Sequence, residues 1–194
     1  CAENGLMAKD AGAPDYRVGV IGAGTMGRGI AQIFAVGGMA VVLYDSADGA
    51  AAEGSRFVGR MVNRAAEKGN LSEADAAAAL ARLETVDRLD GLARCDLVIE
   101  AIIEDLEIKR ALFRELEAVV APDCILASNT SSLSVTAIAA GCASPERVAG
   151  YHFFNPVPLL KLVEVVDGLR TAPWVGTALA KLARRAGHQP VHAK

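Results

Sequence analysis

The chain has 194 residues, of which 52% are hydrophobic and 22% charged, and its formal net charge at pH 7 is −3. This balance is typical of a globular domain and argues against a disordered chain. The small net charge gives no reason to expect nucleic acid or an anionic membrane as a partner. Abundant alanine and only 5% aromatic residues favour a helix-rich α/β fold over an all-β fold.

The first residues do not have the pattern of a signal peptide, since no cationic start is followed by an apolar core. We interpret residues 1–15 as a leader, in which residues 1–6 are a cloning remnant and Met7 is a candidate natural start. The uncharged stretch 124–145 contains SNTSSLSVT, whose hydroxyl and amide groups make it a poor membrane span. The four cysteines show neither a C-x-x-C pair nor zinc spacing. We therefore expect a cytoplasmic protein with reduced thiols, no metal site and no membrane association.

Strand and helix patterns alternate along the rest of the chain. The apolar run YRVGVIG leads into a helical pattern over TMGRGIAQIFAVGG, and a second strand, MAVVLYD, precedes a long helix from about 47 to 68. Ser72 is predicted to cap a helix over EADAAAALARL, with Asp75 completing a capping box. The strands CDLVIEAI and CILAS flank a helix over LEIKRALFRELEAVV.

The last part of the chain predicts two strands, VAGYHFF and LLKLVEVV, joined by NPVP, because proline at 156 and 158 excludes a helix there. A helix over PWVGTALAKLARRAG follows, and HQPVHAK begins a final strand. Strands that alternate with helices predict a Rossmann-type, doubly wound domain over residues 16–194. Its sheet should be mostly parallel, with helices on both faces.

A glycine-rich turn follows the first strand and opens the first helix, which is the context that a dinucleotide-binding motif requires. The motif G-x-G-x-x-G is formed by Gly22, Ala23, Gly24, Thr25, Met26 and Gly27. Its first glycine permits a tight turn, its second lets the backbone approach a pyrophosphate, and its third lets helix and strand pack closely. The free N–H groups of the helix N-terminus would face the phosphates.

Asp45 ends the second strand, where an acidic residue accepts hydrogen bonds from the adenosine ribose. The alternative is a turn residue that, with Ser46, caps the next helix. Residues 46–48 offer no arginine or lysine for a 2′-phosphate, so the sequence predicts NAD rather than NADP as cofactor.

Polar groups interrupt three apolar strand regions: residues 99–105, 128–132 and 151–166. In an open parallel sheet, the carboxyl ends of the strands face the ligand crevice. His152 is the only histidine inside an apolar strand, and a core histidine satisfied by backbone is one interpretation. The other is a proton-transfer pair, in which Glu164 on an adjacent strand orients the imidazole as a general base. Its apolar neighbours predict a strand that is buried on both faces, in which the Glu164 carboxylate needs a partner.

Four segments carry a family resemblance: VGVIGAGTMGRGIAQ, VIEAIIEDLEIK, ILASNTSSL and especially YHFFNPVPLLKLVEVV. Together they resemble the NAD-binding domain of 3-hydroxyacyl-CoA dehydrogenases, and the resemblance covers about residues 16–194. It implies reversible oxidation of an L-3-hydroxyacyl-CoA to the 3-ketoacyl-CoA with NAD, and a role in fatty acid β-oxidation.

The resemblance also implies roles for individual residues. His152 would be the general base and Glu164 its orienting partner, while Ser131 would hydrogen-bond the substrate oxygen near the nicotinamide and Asn155 would lie in the same active-site turn. Contacts with the cofactor are implied for Ala101, Ile102, Glu104, Lys109 and Ser131. Family members add an asparagine and dimerising helices from a C-terminal all-α domain that this chain lacks, so we expect a homodimer through that domain and incomplete catalysis by this chain alone.

Two questions stay open at the level of sequence. Basic residues recur every four positions after Asp45 and would form one stripe on a helix: Arg56, Arg60, Arg64 and Lys68. This stripe is either a solvated face or a contact for the coenzyme A phosphates, for which Arg60, Arg64 and Lys68 are candidates. The alternatives to an acyl-CoA dehydrogenase are a related NAD-dependent hydroxy-acid dehydrogenase, of the gulonate type, and a non-catalytic NAD-binding protein.

Overall fold

The computed structural model describes residues 9–193, which form one eight-stranded sheet with helices on both faces. The strands are β1 (Arg17–Ile21), β2 (Ala40–Tyr44), β3 (Leu83–Val86), β4 (Leu97–Glu100), β5 (Ile125–Ser128), β6 (Val148–Phe153), β7 (Leu162–Asp167) and β8 (Gln189–Ala193). The helices are α1 (Thr25–Val36), α2 (Ala50–Glu67), α3 (Glu73–Ala81), α4 (Leu106–Val119), α5 (Val135–Ala139) and α6 (Pro173–Arg185). Two short 3-10 turns precede β4 and β6.

The strand order is β3-β2-β1-β4-β5-β6-β7-β8. Strands β1 to β6 pair in parallel, β7 is antiparallel to β6, and β8 is parallel to β7. The first six strands have the order of a Rossmann fold, in which the dinucleotide binds where the strand order reverses, between β1 and β4. The predicted doubly wound, mostly parallel architecture is confirmed.

Each face of the sheet has its own apolar core because side chains alternate along a strand. On one face, Val18 and Val20 of β1 pack in a cluster with Phe34 of α1 and Leu179 of α6. On the other face, Ile21 belongs to a cluster that contains helices α4 and α5. Burying each large apolar side chain contributes about 1.5–3 kcal/mol to folding, so these two layers hold the strand ends in fixed relative positions.

Three elements differ from the sequence predictions. Strand β3 was not predicted, because two of its four residues, Glu84 and Thr85, are exposed at the sheet edge and leave almost no apolar pattern. Helix α5 is only five residues long and was also not predicted. Strand β7 begins at Leu162, later than predicted, since Leu159, Leu160 and Lys161 lie in the exposed segment before it. Ser72 caps α3 as predicted, accepting a hydrogen bond from the Asp75 N–H at 3.0 Å.

The described part of the predicted leader packs against the domain. Ala11 is buried in the core, and Arg185 donates hydrogen bonds to the carbonyls of Ala11 and Ala13 at 2.6 and 3.0 Å. The predicted cloning remnant and Met7 lie outside the described residues. Across residues 9–193, none of the helices combines the length and the apolar character needed to cross a membrane.

Candidate active site

The glycine-rich turn has the backbone geometry that its sequence predicts. Gly22 has a φ of 94°, in the left-handed region that favours glycine, and a Cβ there would lie 2.6 Å from the Ala101 carbonyl oxygen. A Cβ on Gly27 would lie 1.6 Å from the Gly22 carbonyl oxygen, so this glycine lets α1 cross β1 closely. A Cβ on Gly24 would meet no atom within 4 Å. The open space at Gly24, at the N-terminus of α1, fits a pyrophosphate that binds backbone N–H groups.

The other residues of the motif and its surroundings divide between core and crevice. Met26 is partly buried against the core on the α1 side of the sheet, and Thr25 lines a cavity between α1 and α2. The Ala101 N–H donates to the Ile21 carbonyl at 2.8 Å, which extends the pairing of β1 and β4 by one residue. Ile102 lines the cavity beside Asp45.

Asp45 connects the end of β2 to the glycine-rich turn. Its carboxylate accepts hydrogen bonds from the N–H groups of Ala23 at 2.7 Å and Ala47 at 2.9 Å. The carboxylate therefore stabilises the turn, as one interpretation predicted, and it retains lone pairs for a ribose hydroxyl. The predicted capping of the next helix is wrong, because α2 begins at Ala50 with Gly49 as its N-cap and no side-chain cap.

A cavity of about 320 Å³ lies beside Asp45, between β2 and α4. Its walls include the apolar side chains of Tyr44, Leu89 and Ile108. Among the described residues that line it are two carboxylates, Asp45 and Glu115, and no lysine or arginine. This cavity fits the adenosine half of NAD and would repel a 2′-phosphate.

A buried ion pair lies at the end of β4. Glu100 is fully buried, and its Oε1 accepts hydrogen bonds from Lys109 Nζ at 2.6 Å and from the Ile102 N–H at 2.7 Å. Its Oε2 accepts from the Ser128 hydroxyl at 2.6 Å. Lys109 is only 1% exposed, so the whole pair is excluded from solvent. The sequence analysis did not identify Glu100 as a site residue, although a carboxylate inside the apolar run LVIEAII could have indicated it.

Glu104 organises the loop that follows β5. One of its oxygens accepts hydrogen bonds from the Thr130 hydroxyl and from the N–H groups of Ser131 and Ser132, at 2.5, 3.0 and 3.2 Å. Its other oxygen lies 3.2 Å from Lys109 Nζ. Burial acts to raise the pKa of Glu104, but the hydrogen bonds from Thr130 and Lys109 and the Lys109 charge outweigh it and lower the pKa to about 2. This ionised carboxylate keeps the exposed Ser131 at the crevice.

Asn129 extends the polar connections to the next strand. Its N–H donates to the Glu100 carbonyl at 2.8 Å, and its side-chain oxygen accepts from the Phe153 N–H at 2.9 Å. The ends of β4, β5 and β6 are thus joined by hydrogen bonds, next to His152. Sequence reasoning did not identify Asn129, because only the strand order shows that it lies between Glu100 and Phe153.

His152 and Glu164 are directly opposite each other on β6 and β7. His152 Nδ1 lies 2.9 Å from Glu164 Oε2, and the imidazole also packs against the ring of Phe154 at a centroid distance of 4.5 Å. The predicted contact between these two side chains is present. The prediction that the strand carrying Glu164 is buried on both faces is wrong, because the Glu164 side chain is 39% exposed and Leu162 is 40% exposed. The reason is that burial alternates along β7: Val163 and Val165 pack in the core with α6, whereas Leu162 and Glu164 lie on the less covered face.

The turn between β6 and β7 carries Asn155, which is exposed, in a cis peptide bond with Pro156. His188 contacts the backbone of this turn. It is buried, and its two ring nitrogens lie 2.9 Å from the Val157 carbonyl oxygen and 3.1 Å from the Ala186 carbonyl oxygen.

A larger cavity, of about 600 Å³, lies between α1, α2 and this turn. Four cations line it: Arg28, Arg64, Lys68 and Lys161. Arg28 lies over the ring of Phe57, 3.8 Å from its centroid. Two members of the predicted basic stripe, Arg64 and Lys68, therefore share a cavity, while Arg56 and Arg60 are not among the described residues that line it. Sequence reasoning missed Arg28 and Lys161, which come from other elements.

The geometry defines an NAD-binding Rossmann domain with a histidine–carboxylate pair at the carboxyl edge of its sheet. Residues 17–194 match the family model described as "3-hydroxyacyl-CoA dehydrogenase, NAD binding domain". The chain belongs to this family, and its cofactor is NAD.

Relatives with named activities support the same assignment. The 3-hydroxyadipyl-CoA dehydrogenase of Escherichia coli strain K12 is 48% identical over 174 residues, which are 90% of this chain and 37% of that protein. The 3-hydroxybutyryl-CoA dehydrogenase of Bradyrhizobium diazoefficiens is 43% identical, over 89% of this chain and 59% of that protein. The crystal structure of (S)-3-hydroxybutyryl-CoA dehydrogenase from Ralstonia eutropha has a TM-score of 0.89 at 41% identity, over 93% of this chain and 64% of that one. The chain thus spans between about a third and two thirds of the length of these relatives.

Proposed function

We propose that this protein oxidises an L-3-hydroxyacyl-CoA to the 3-ketoacyl-CoA, reversibly, with NAD. The observation that carries the proposal is the 2.9 Å contact between His152 and Glu164 at the edge of the sheet where the glycine-rich turn and the Glu104 loop also lie. The names of the relatives support an acyl-CoA substrate.

In this mechanism His152 is the general base. Its Nδ1–H donates to Glu164, so Nε2 is left without a proton and can accept one from the substrate hydroxyl. Glu164 then stabilises the imidazolium that forms. Bound NAD supplies the hydride acceptor. The exposed side chains of Ser131 and Asn155 would hydrogen-bond the substrate oxygen and orient it.

The cofactor contacts follow the same edge of the sheet. Residues 22–27 would hold the pyrophosphate and Asp45 the adenosine ribose. Ile102 would border the adenosine half, whose cavity it lines. Ala101, Glu104, Lys109 and Ser131 would border the nicotinamide half, although Lys109 would act through Glu104 because it is buried.

The 600 Å³ cavity is the proposed site of coenzyme A. Its four cations match the phosphates of this substrate, and the described residues that line it include no aspartate or glutamate. Arg64 and Lys68 keep the role predicted for them. Arg60 is not among the described residues that line the cavity, but its guanidinium lies 5.6 Å from the ring centroid of Phe57, which does line it.

The test is a turnover assay of the full-length protein with NAD and a panel of 3-hydroxyacyl-CoAs, with L-gulonate beside them. We expect NAD reduction with at least one acyl-CoA and none with gulonate. Turnover of gulonate alone would identify the related hydroxy-acid dehydrogenases instead. NAD binding without turnover of any substrate would identify a non-catalytic protein.

We also propose that the protein acts in the cytoplasm, as a homodimer, in fatty acid β-oxidation. A relative named as the alpha subunit of a fatty acid oxidation complex, from Psychrobacter cryohalolentis, supports this role.

Burial raises the pKa of the Cys95 thiol to about 12 and that of Cys124 further, so both thiols stay protonated and unreactive. Light scattering of the full-length protein would test the dimer, which a monomeric mass would contradict.

A further inference from the structure

Three ionised side chains meet between β4, α4 and the loop after β5: Glu100, Lys109 and Glu104. Lys109 Nζ lies 2.6 Å from Glu100 and 3.2 Å from Glu104, so one ammonium group serves two carboxylates. The cluster therefore carries one net negative charge. Glu100 and Lys109 are almost completely buried, whereas the Glu104 side chain is 37% exposed and opens toward the crevice.

The two ends of the crevice are distinct in their chemistry. The adenosine cavity lies on the β2 side of the glycine-rich turn, beside Asp45. A dinucleotide that crosses the turn must place its other half on the opposite side, over the ends of β4 and β5. Glu104 and the Ser131 loop lie there, and His152 follows on β6. The net negative cluster is thus at the nicotinamide end.

We propose that Glu100 is a positioning residue that sets the charge beneath the nicotinamide site, so that the cluster favours the oxidised cofactor over the reduced one. This inference rests on the proposed cofactor placement. The oxidised nicotinamide ring is cationic and the reduced ring is neutral. A net negative charge on a cluster that is mostly buried attracts the cationic ring and not the neutral one, and at short range this attraction is substantial.

Glu100 has this effect because its negative charge offsets the positive charge of Lys109. Without Glu100, the full charge of Lys109 would neutralise Glu104, and the cluster would have no net charge. Hydrogen bonds from Ser128 and Ile102 hold the Glu100 carboxylate in place, so the arrangement does not depend on solvent.

The experiment measures dissociation constants of NAD⁺ and NADH for the wild-type chain and for Glu100→Gln, by NADH fluorescence and competition. Glu100→Gln should weaken the binding of NAD⁺ more than that of NADH. The dissociation constant of NAD⁺ divided by that of NADH should therefore rise on the order of three- to tenfold. The double variant Glu100→Gln/Lys109→Met loses one charge of each sign, so its cluster keeps a net charge of −1. Its ratio should return to the wild-type value even if both affinities fall.

Glu73→Gln is the matched control, since it makes the same charge change at an exposed position in the first turn of α3. It should leave the ratio unchanged. A role in folding alone would weaken the binding of both cofactors equally in Glu100→Gln, and a ratio that stays raised in the double variant would show that net charge is not the cause. Either result would overturn the inference. An unchanged ratio in Glu100→Gln would do so as well.

Failure of the cofactor assignment gives a different result, because the wild-type chain would then bind neither NAD⁺ nor NADH. If Glu100→Gln does not fold, Glu104→Gln provides the same test, since it removes one negative charge from the exposed end of the cluster. An unshifted ratio in that variant would also overturn the inference.

Discussion

At the scale of single residues, the imidazole of His152 depends on the carboxylate opposite it. His152→Ala should lower turnover of the full-length protein by about 10²–10⁴-fold and leave NAD affinity unchanged, because the glycine-rich turn and Asp45 are untouched. Glu164→Gln should keep the fold but lower turnover, since the imidazolium loses its counter-charge. Steady-state kinetics and calorimetry with NAD measure the two effects. A large loss of NAD affinity in His152→Ala would show that the residue supports the cofactor site instead.

The low pKa of Glu104 predicts how stability depends on pH. Its pKa lies near 2 in the folded protein, against an ordinary value of 4.5. The folded state therefore holds the ionised form more tightly than the unfolded state does, and this contribution is complete above about pH 4.5 and is lost as the pH falls toward 2. Glu104→Gln should be less stable than the wild type at pH 7, and the difference should shrink across that interval. Denaturant unfolding at a series of pH values tests this, and a constant difference would contradict it.

The polar residues of the site could be predicted unevenly from the sequence. His152, Glu164 and Asp45 stand at strand ends or in apolar runs whose spacing draws attention to them. Asn129 and Lys161 do not, because their roles depend on which strands are neighbours. Glu164 shows the limit most clearly: its contact with His152 follows from the adjacency of the two strands, but its exposure depends on which face of β7 is covered, and the sequence does not show that.

At the scale of elements, the close crossing of α1 over β1 depends on Gly27. Gly27→Ala should destabilise the domain by several kcal/mol or prevent folding, since its Cβ would lie 1.6 Å from a backbone oxygen that cannot move without breaking the turn. Thermal unfolding measures the effect.

Gly59→Ala is the matched control in the middle of α2, where a Cβ would meet no atom within 4 Å. It should stabilise the domain by about 0.5–1 kcal/mol, because alanine is the better helix former. Equal effects of the two substitutions would show that the crossing of α1 and β1 tolerates a side chain.

Long elements with strong periodicity could be predicted, and short ones at the edges could not. Helices α1, α2, α4 and α6 have apolar faces over at least three turns. Strand β3 and helix α5 hold four and five residues and take their structure from neighbours rather than from their own pattern.

At the scale of the whole molecule, charge is distributed unevenly. The chain has a formal net charge of −3, yet one cavity gathers four cations from α1, α2 and the segment before β7. The proposed pyrophosphate site instead uses backbone N–H groups. Added salt screens charges on side chains, so the Michaelis constant for an acyl-CoA should rise with ionic strength more steeply than that for NAD. Kinetics of the full-length protein at increasing NaCl measure both slopes.

Reversing the charge of single residues tests whether the cavity causes this salt dependence. Arg64→Glu should raise the Michaelis constant for acyl-CoA and reduce its salt dependence, while Arg56→Glu, on the same helix but outside the cavity lining, should change neither. Parallel slopes for the two ligands would contradict the proposed coenzyme A site.

The proton-transfer pair lies in the paired part of β6 and β7, while residues 154–161, which join those strands, border the basic cavity. Backbone ladders on both sides hold the pair, so the outer part of the joining segment, residues 158–161, can change in composition without moving it, whereas Phe154 packs against His152 itself. Selection can therefore reshape the proposed coenzyme A cavity by changing one short connection, while the proton-transfer pair is inherited unchanged. A library of variants confined to that connection is the economical way to redirect this scaffold toward new substrates.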